Sequence, residues 1–153
     1  MYSEVAIVHL KHFQHIDQKS VNFIESSDQI QSGNYYQLWV QHLLLGSAGA
    51  ATKLLANKVD KVIIFGTRKL ATFLYLDFQK HGIEVEYFLD NDKRMQGNSM
   101  HSIPIISPME LDTATCTTII VSVERQSSMN AVKASLSEQF NNAQIYTWQE
   151  LFS

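Results

Sequence analysis

The sequence is poor in cysteine, in proline and in charge. A single cysteine, Cys116, in 153 residues excludes an intrachain disulfide and a zinc site built from thiolates. With no disulfide framework and no signal-peptide pattern at the N-terminus, a reducing cytoplasm is the expected location. Twelve Lys and Arg stand against 15 Asp and Glu, a net charge of −3. Binding along a nucleic acid needs clustered cations to neutralise phosphates, so no nucleic-acid partner is expected. Charged residues make up 18% of the chain, below the roughly 25% usual in soluble domains. That deficit leaves surface for a second copy of the chain or a partner enzyme to cover.

Long apolar runs are also missing. The most apolar stretch, Leu38 to Ala51 (LWVQHLLLGSAGAA), carries Gln41, His42 and Ser47. It falls short of the roughly 18 continuous apolar residues that a bilayer core requires. No membrane span is expected, and a buried or partner-facing helix fits the stretch better. There is no internal repeat and no low-complexity tract. No Tyr-x-x-x-Lys pair, G-x-S-x-G elbow or base–nucleophile pair stands out, so the sequence supplies no complete catalytic set.

What is present begins after residues 58–61, where short apolar runs alternate with helical ones. Val62–Phe65 (VIIF) has the β-branched and aromatic character of a buried strand. Arg68 to His81 places Leu70, Ala71, Leu74 and Phe78 at three- and four-residue spacing, which predicts a helix, and Gly82 sits where such a helix stops. Ile83–Leu89 is a second strand, closed by Asp90-Asn91-Asp92. Ile103–Ile106, with Pro104 inside it, reads as an edge strand because proline cannot donate to a ladder. Ser107-Pro108 opens a short helix. Thr117–Ser122, a helix over Ser127 to Gln139 and the strand Gln144–Trp148 complete the pattern. Strands alternating with helices imply an α/β fold with a small, doubly wound parallel sheet. Residues 59–153 are the expected α/β domain and 1–58 a mainly helical N-terminal extension. Within the extension, Asn34 to Asn57 is strongly helical, and the glycines of its small-residue middle, Gly46 to Ala51, suggest either a break or, as the preferred reading, close packing on the sheet or on a second copy of the chain. Val5–Leu10 fits either a strand or the start of a helix, and Ser26 to Gly33 a loop.

The segment from Lys61 to Asn91 has the order strand, glycine turn, helix, strand, acid. In nucleotide binders of this order the glycine turn presents backbone N–H groups to phosphate at the helix N-terminus, and the acid accepts from ribose hydroxyls. Gly66 is the turn glycine and Asp90 the acid, 24 residues downstream, against an expected distance of roughly 20. In the pattern G-x-G-x-x-G/A, Gly66 and Ala71 match while Arg68 stands at the second glycine. A guanidinium there can bind phosphate or fill the phosphate's space. The same residues also fit an ordinary strand-to-helix turn with Asp90 capping a loop, so two readings stay open.

These residues carry a resemblance. The stretch with Gly66, Asp90-Asn91-Asp92, Gly97 and Ile103-Pro104-Ile105 resembles the Rossmann-like N-terminal half-domain of bacterial surface-polysaccharide enzymes. Such modules occur in sugar-nucleotide acetyltransferases of the PglD type and beside nucleotide-sugar dehydratases and epimerases. The resemblance covers roughly 90 of the 153 residues. It implies a nucleotide or nucleotide-sugar ligand, a UDP-sugar or NAD(P), with Asp90 and Asn91 at the nucleoside and Gly66, Thr67 and Arg68 at the phosphates. Arg68 and Ser102 depart from the family's glycines, and the acetyltransferase β-helix is absent, so transfer chemistry is not implied.

Other candidates are weaker. His9, His12 and His15 could share a helix face as metal ligands, but no carboxylate sits among them and a solvated polar face is the simpler reading. Cys116, Tyr35, Tyr36, Trp39 and Trp148 read as packing residues. Ser122, ending the fourth strand, is expected to line the same crevice as Gly66. The leading expectation is a nucleotide-binding module of a polysaccharide pathway. The alternative is a scaffold or oligomerisation protein whose degenerate Rossmann-like fold binds no nucleotide.

Overall fold

A computed structural model describes Gln37 and residues 49–112 and 118–152. Val5–Leu10, the loop Ser26 to Gly33, the three N-terminal histidines, Tyr35, Tyr36, Trp39, Ser47 and Cys116 lie outside the described residues. The chain divides into two units, 1–49 and 50–153.

Among the described residues, the second unit carries a six-stranded sheet. Its strands are β1 (Lys61–Phe65), β2 (Glu84–Leu89), β3 (Ser99–Met100), β4 (Ile103–Ile106), β5 (Thr118–Val121) and β6 (Gln144–Thr147). Their spatial order is β3-β4-β2-β1-β5-β6. All neighbours run parallel except β3 and β4, which form an antiparallel hairpin. β1 lies between β2 and β5, pairing Phe65 with both Leu89 and Val121. Two helices alternate with the strands, α2 (Lys69–Lys80) between β1 and β2 and α3 (Gln126–Gln139) between β5 and β6, and the short helix α1 (Ala51–Ala56) precedes β1. The fold is α/β with a mostly parallel, Rossmann-like sheet.

The burial follows the apolar pattern. β5 is buried at all four residues and β1 at four of five, as strands covered on both faces should be. On α2, Leu70, Ala71, Leu74 and Phe78 are buried, as their spacing predicts. The helix ends in a Schellman motif. Gly82, at φ +74°, donates to Gln79 O, and Ile83 N–H donates to Phe78 O. Trp148 is fully buried, and its indole N–H donates to Val123 O at 2.9 Å. That hydrogen bond lets a large amphipathic ring sit inside the core.

Two expectations need correction. The helix over Asn34 to Asn57 is not continuous: Gly49 and Ala50 are outside any helix, and α1 starts at Ala51. Glycine opposes helix by about 1 kcal/mol relative to alanine, and the Ala50 N–H is taken by the side chain of Asp77, which accepts it at 2.6 Å. Of the small-residue stretch, Gly49, Ala50 and Ala51 are buried, and 46–48 lie outside the described residues. The second correction concerns Ile103–Ile106, which is one strand in from the edge. Ser99–Met100 lies outside it, joined through His101 and Ser102 at φ +53° and +64°. This is the backbone of a type I′ turn made without glycine. Pro104 is accommodated because the neighbouring Ile105 N–H carries the hydrogen bond, to Asn98 O at 2.8 Å.

The C-terminal strand is locked by one carboxylate. Glu150 accepts from Thr147 N–H at 2.7 Å and from Lys133 Nζ at 2.7 and 2.9 Å, while its carbonyl accepts from Lys53 Nζ. Burial raises its pKa, but the Lys133 and Thr147 hydrogen bonds together outweigh burial and hold it below the ordinary 4.5. A depressed carboxylate pKa stabilises the fold above its unfolded value and loses that contribution as pH falls through the folded one. Lys133 and Glu150 are each about a third or more exposed, so Glu150→Gln is expected to cost only about 0.5–1 kcal/mol at pH 7. In urea melts the gap between variant and native protein should close as the pH drops below 4.5. A gap unchanged at pH 3 would deny the ion pair its part.

Candidate functional site

The strand order reverses at β1. From there the chain goes to β2 and β4 on one side and to β5 and β6 on the other. In open parallel sheets such a switch point opens a crevice at the carboxyl ends of the strands, where ligands bind. Gly66 follows β1 and Ser122 follows β5, so the topology brings these two residues together. Asp90 follows the neighbouring β2 and completes the group.

Gly66 holds φ +107° and donates its N–H to Leu89 O at 2.7 Å. A Cβ at this position would run into Ser122 Oγ. Ser122 is buried, and both its N–H and its hydroxyl donate to Phe65 O, at 2.9 and 2.7 Å. It therefore closes the floor under the glycine turn, its hydroxyl committed to the backbone. Glycine is required here twice over, by its φ and by the serine.

Thr67 spans from the turn to the acid. Its hydroxyl donates to Asp90 Oδ2 at 2.5 Å. Asp90 Oδ1 accepts from Asp92 N–H at 2.9 Å. The Asp90 backbone is fixed as well, its N–H donating to Ile106 O and its carbonyl accepting from Gln96 Nε2. Arg68 is the exposed N-cap residue of α2, extended at φ −93° and ψ −171°, with no side-chain cap over the first turn. Ala71, at the third position of the glycine pattern, is fully buried, as close helix–sheet packing demands. Asn91 is exposed beside Asp90.

The β2–β3 loop adds residues that sequence reasoning passed over. Asp92 binds Arg94 three ways: it accepts from Nε at 3.0 Å, from Nη2 at 2.8 Å and from the backbone N–H at 2.9 Å. The Arg94 side chain first, then its N–H, with the Arg68 charge also contributing, pushes the Asp92 carboxyl down to about 2. A carboxyl NMR titration should find Asp92 with a midpoint of about 2, and Arg94→Ala should return it towards 3.8. A midpoint near 3.8 in the native protein would mean the Asp92–Arg94 fork does not form in solution. An Asp followed two residues later by Arg, inside a polar loop, was the available signal.

Among the described residues no cluster of three or more His, Cys, Asp or Glu could hold a metal ion. No helix among them is long and apolar enough to cross a membrane.

Residues 58–150 match the family described as C2185-like, N-terminal. A curated relative, the redox-sensing transcriptional repressor Rex of Treponema denticola, is 36% identical over 59 residues, which is 37% of this chain and 28% of that protein. The chain thus spans little more than a quarter of the length of this relative. No solved structure matches.

Proposed function

This chain belongs to the C2185-like N-terminal family, and from that footing we propose that it binds a nucleotide at the crevice formed by Gly66, Thr67, Arg68, Asp90 and Asn91, over a floor closed by Ser122. One observation carries the reading: a left-handed glycine turn leads from the central strand into an uncapped helix N-terminus, and the acid ending the next strand lies within one side chain of that turn. The first-turn N–H groups and the helix dipole favour an anionic phosphate, with Arg68 supplying a charged fork, and the acid suits a ribose. Residues 59–153 are the binding module and 1–58 its extension.

NAD(P) and UDP-sugars both carry the required ribose and diphosphate. Similarity to a redox-sensing repressor favours the nicotinamide dinucleotide, since that cofactor pair reports redox state. A UDP-sugar ligand, a place in surface-polysaccharide synthesis in the cytoplasm, and assembly as a homo-oligomer or with a partner enzyme rest on the sequence resemblance. A competing reading is a scaffold whose crevice is only architecture. It is favoured by Ser122 packing directly beneath Gly66.

A thermal-shift series with NAD+, NADH, NADP+ and UDP-N-acetylglucosamine separates the two. A ligand at 100 times its Kd should add about 2.7 kcal/mol of stability. Arg68→Ala and Asp90→Ala should each weaken that shift. Should no nucleotide move the transition, the scaffold reading replaces this one.

A further inference from the structure

We propose that Met109 is a site of oxidation by peroxide, and that its sulfoxide oxygen is then held by the side-chain amide of Gln139. Neither step depends on nucleotide binding.

Met109 stands apart from the other apolar side chains. It is 82% exposed, whereas Leu55, Leu76 and Tyr87, the other exposed large hydrophobics among the described residues, lie between 37% and 44%. The exposure is built into its turn. In the one-turn helix Pro108–Glu110, Pro108 is buried, and Leu111 just after it is buried as well, so the backbone is seated on both sides of the methionine. A reciprocal pair braces the turn: Ser107 Oγ accepts from Met109 N–H at 3.2 Å, and Glu110 Oε2 accepts from Ser107 N–H at 3.3 Å. A held turn that points a thioether at water gains little from burial, but it presents the sulfur to any peroxide in solution. The other described methionines are less open. Met95 and Met100 are half-buried, and Met129 is 1% exposed.

Gln139, the last residue of α3, supplies the second half. Its Nε2 donates to Pro108 O at 3.1 Å and lies 3.6 Å from Met109 Sδ. A carbonyl can be met only by the nitrogen of the amide, so Pro108 fixes which end of Gln139 faces the turn. That nitrogen carries two hydrogens. One serves Pro108, and the other has only a thioether beside it, a weak acceptor. Oxidation changes the acceptor. A sulfur lone pair attacks one oxygen of hydrogen peroxide, the O–O bond breaks and an S–O bond forms. The departing hydroxide takes the proton of the transferred oxygen and leaves as water, so sulfur loses two electrons and the peroxide gains them. The product is a polar sulfoxide, whose oxygen is a strong acceptor within reach of the second amide hydrogen. Inside a core such a change disrupts packing. At Met109 it exchanges a weak hydrogen bond for a stronger one and ties the turn after β4 to the end of α3.

Treatment of the full chain with hydrogen peroxide, followed by peptide mass spectrometry and hydrogen exchange, tests both halves. Met109 should oxidise faster than Met95 and Met100, and at least about tenfold faster than Met129, because susceptibility follows exposure. The Glu110 and Leu111 amides close the turn onto Ser107 and Pro108, and one added net hydrogen bond should slow their exchange about 2- to 13-fold after oxidation. Gln139→Ala should oxidise at Met109 as readily as the native chain and show no slowing. Met109→Leu keeps the side chain's size and has no sulfur, so peroxide should leave exchange in its turn unchanged. If Met109 reacts no faster than Met95 and Met100, the site is wrong. If exchange at Glu110 and Leu111 stays the same or quickens on oxidation, or if it slows equally in Gln139→Ala or Met109→Leu, the amide does not hold the sulfoxide.

Discussion

Replacing Gly66 by alanine should cost about 3–5 kcal/mol. Two independent penalties set this figure. A non-glycine residue in a sparsely populated backbone region costs about 1–3 kcal/mol, and Gly66 sits at φ +107°. Forcing extra atoms into a packed site adds about 1–3 kcal/mol, and the new Cβ meets Ser122 Oγ, which is buried and tied to Phe65 O. For a domain of about 100 residues, each kcal/mol lowers Tm by roughly 4 °C or more, so the melting transition should fall by at least about 12 °C. The pair can be dissected. Gly66→Ala with Ser122→Gly removes the collision and leaves the backbone penalty, so the double variant should be more stable than the two single effects summed. Strict additivity would show that the serine contact carries no energy.

Asp77→Ala is expected to cost about 1–3 kcal/mol and to show it locally first. Asp77 is a carboxylate at 1% exposure on the buried face of α2. Its Oδ2 accepts the Ala50 N–H at the start of α1, and its Oδ1 lies 3.1 Å from His81 Nδ1. Removing the carboxylate strands the buried Ala50 N–H, which costs about 1–3 kcal/mol. Hydrogen exchange should therefore speed up at residues 50–53 before the sheet amides respond. Uniform acceleration across the sheet, with no excess at residues 50–53, would show that Asp77 does not anchor α1.

The contrast between these two residues shows what the sequence makes legible. Gly66 and Asp90 could be found because a turn glycine and an acid recur at a spacing set by one strand–helix–strand unit. The α2 face was legible because Leu70, Ala71, Leu74 and Phe78 repeat with the helical period. Asp77 falls on that same face, but an acid in a helix reads as solvated. Its partner is a backbone N–H 27 residues away, which has no identity in the sequence. The closure of Gly66 by Ser122 likewise depends on two strand ends meeting through the sheet order. The hairpin at His101-Ser102 was missed for a different reason. Its turn carries no glycine at either left-handed position, and the strand before it is two residues long. His101 compensates within the fold: its ring stacks on Tyr75 at a centroid distance of 4.3 Å, and Nε2 lies 3.2 Å from Thr72 Oγ1. That contact ties the turn to α2 and favours its unusual backbone.

The same hairpin governs how one edge of the sheet meets other molecules. A parallel sheet that ended at β4 would offer a ladder of open backbone groups to any extended chain nearby. Here the last rung is a strand of two residues, folded back antiparallel by a tight turn and paired opposite a proline that has no N–H. Such a margin is too short to template a further strand. Variants that unzip Ser99–Met100 from Ile103–Pro104 should leave the core intact and yet shorten shelf life, because insoluble β-rich assemblies would grow outward from β4.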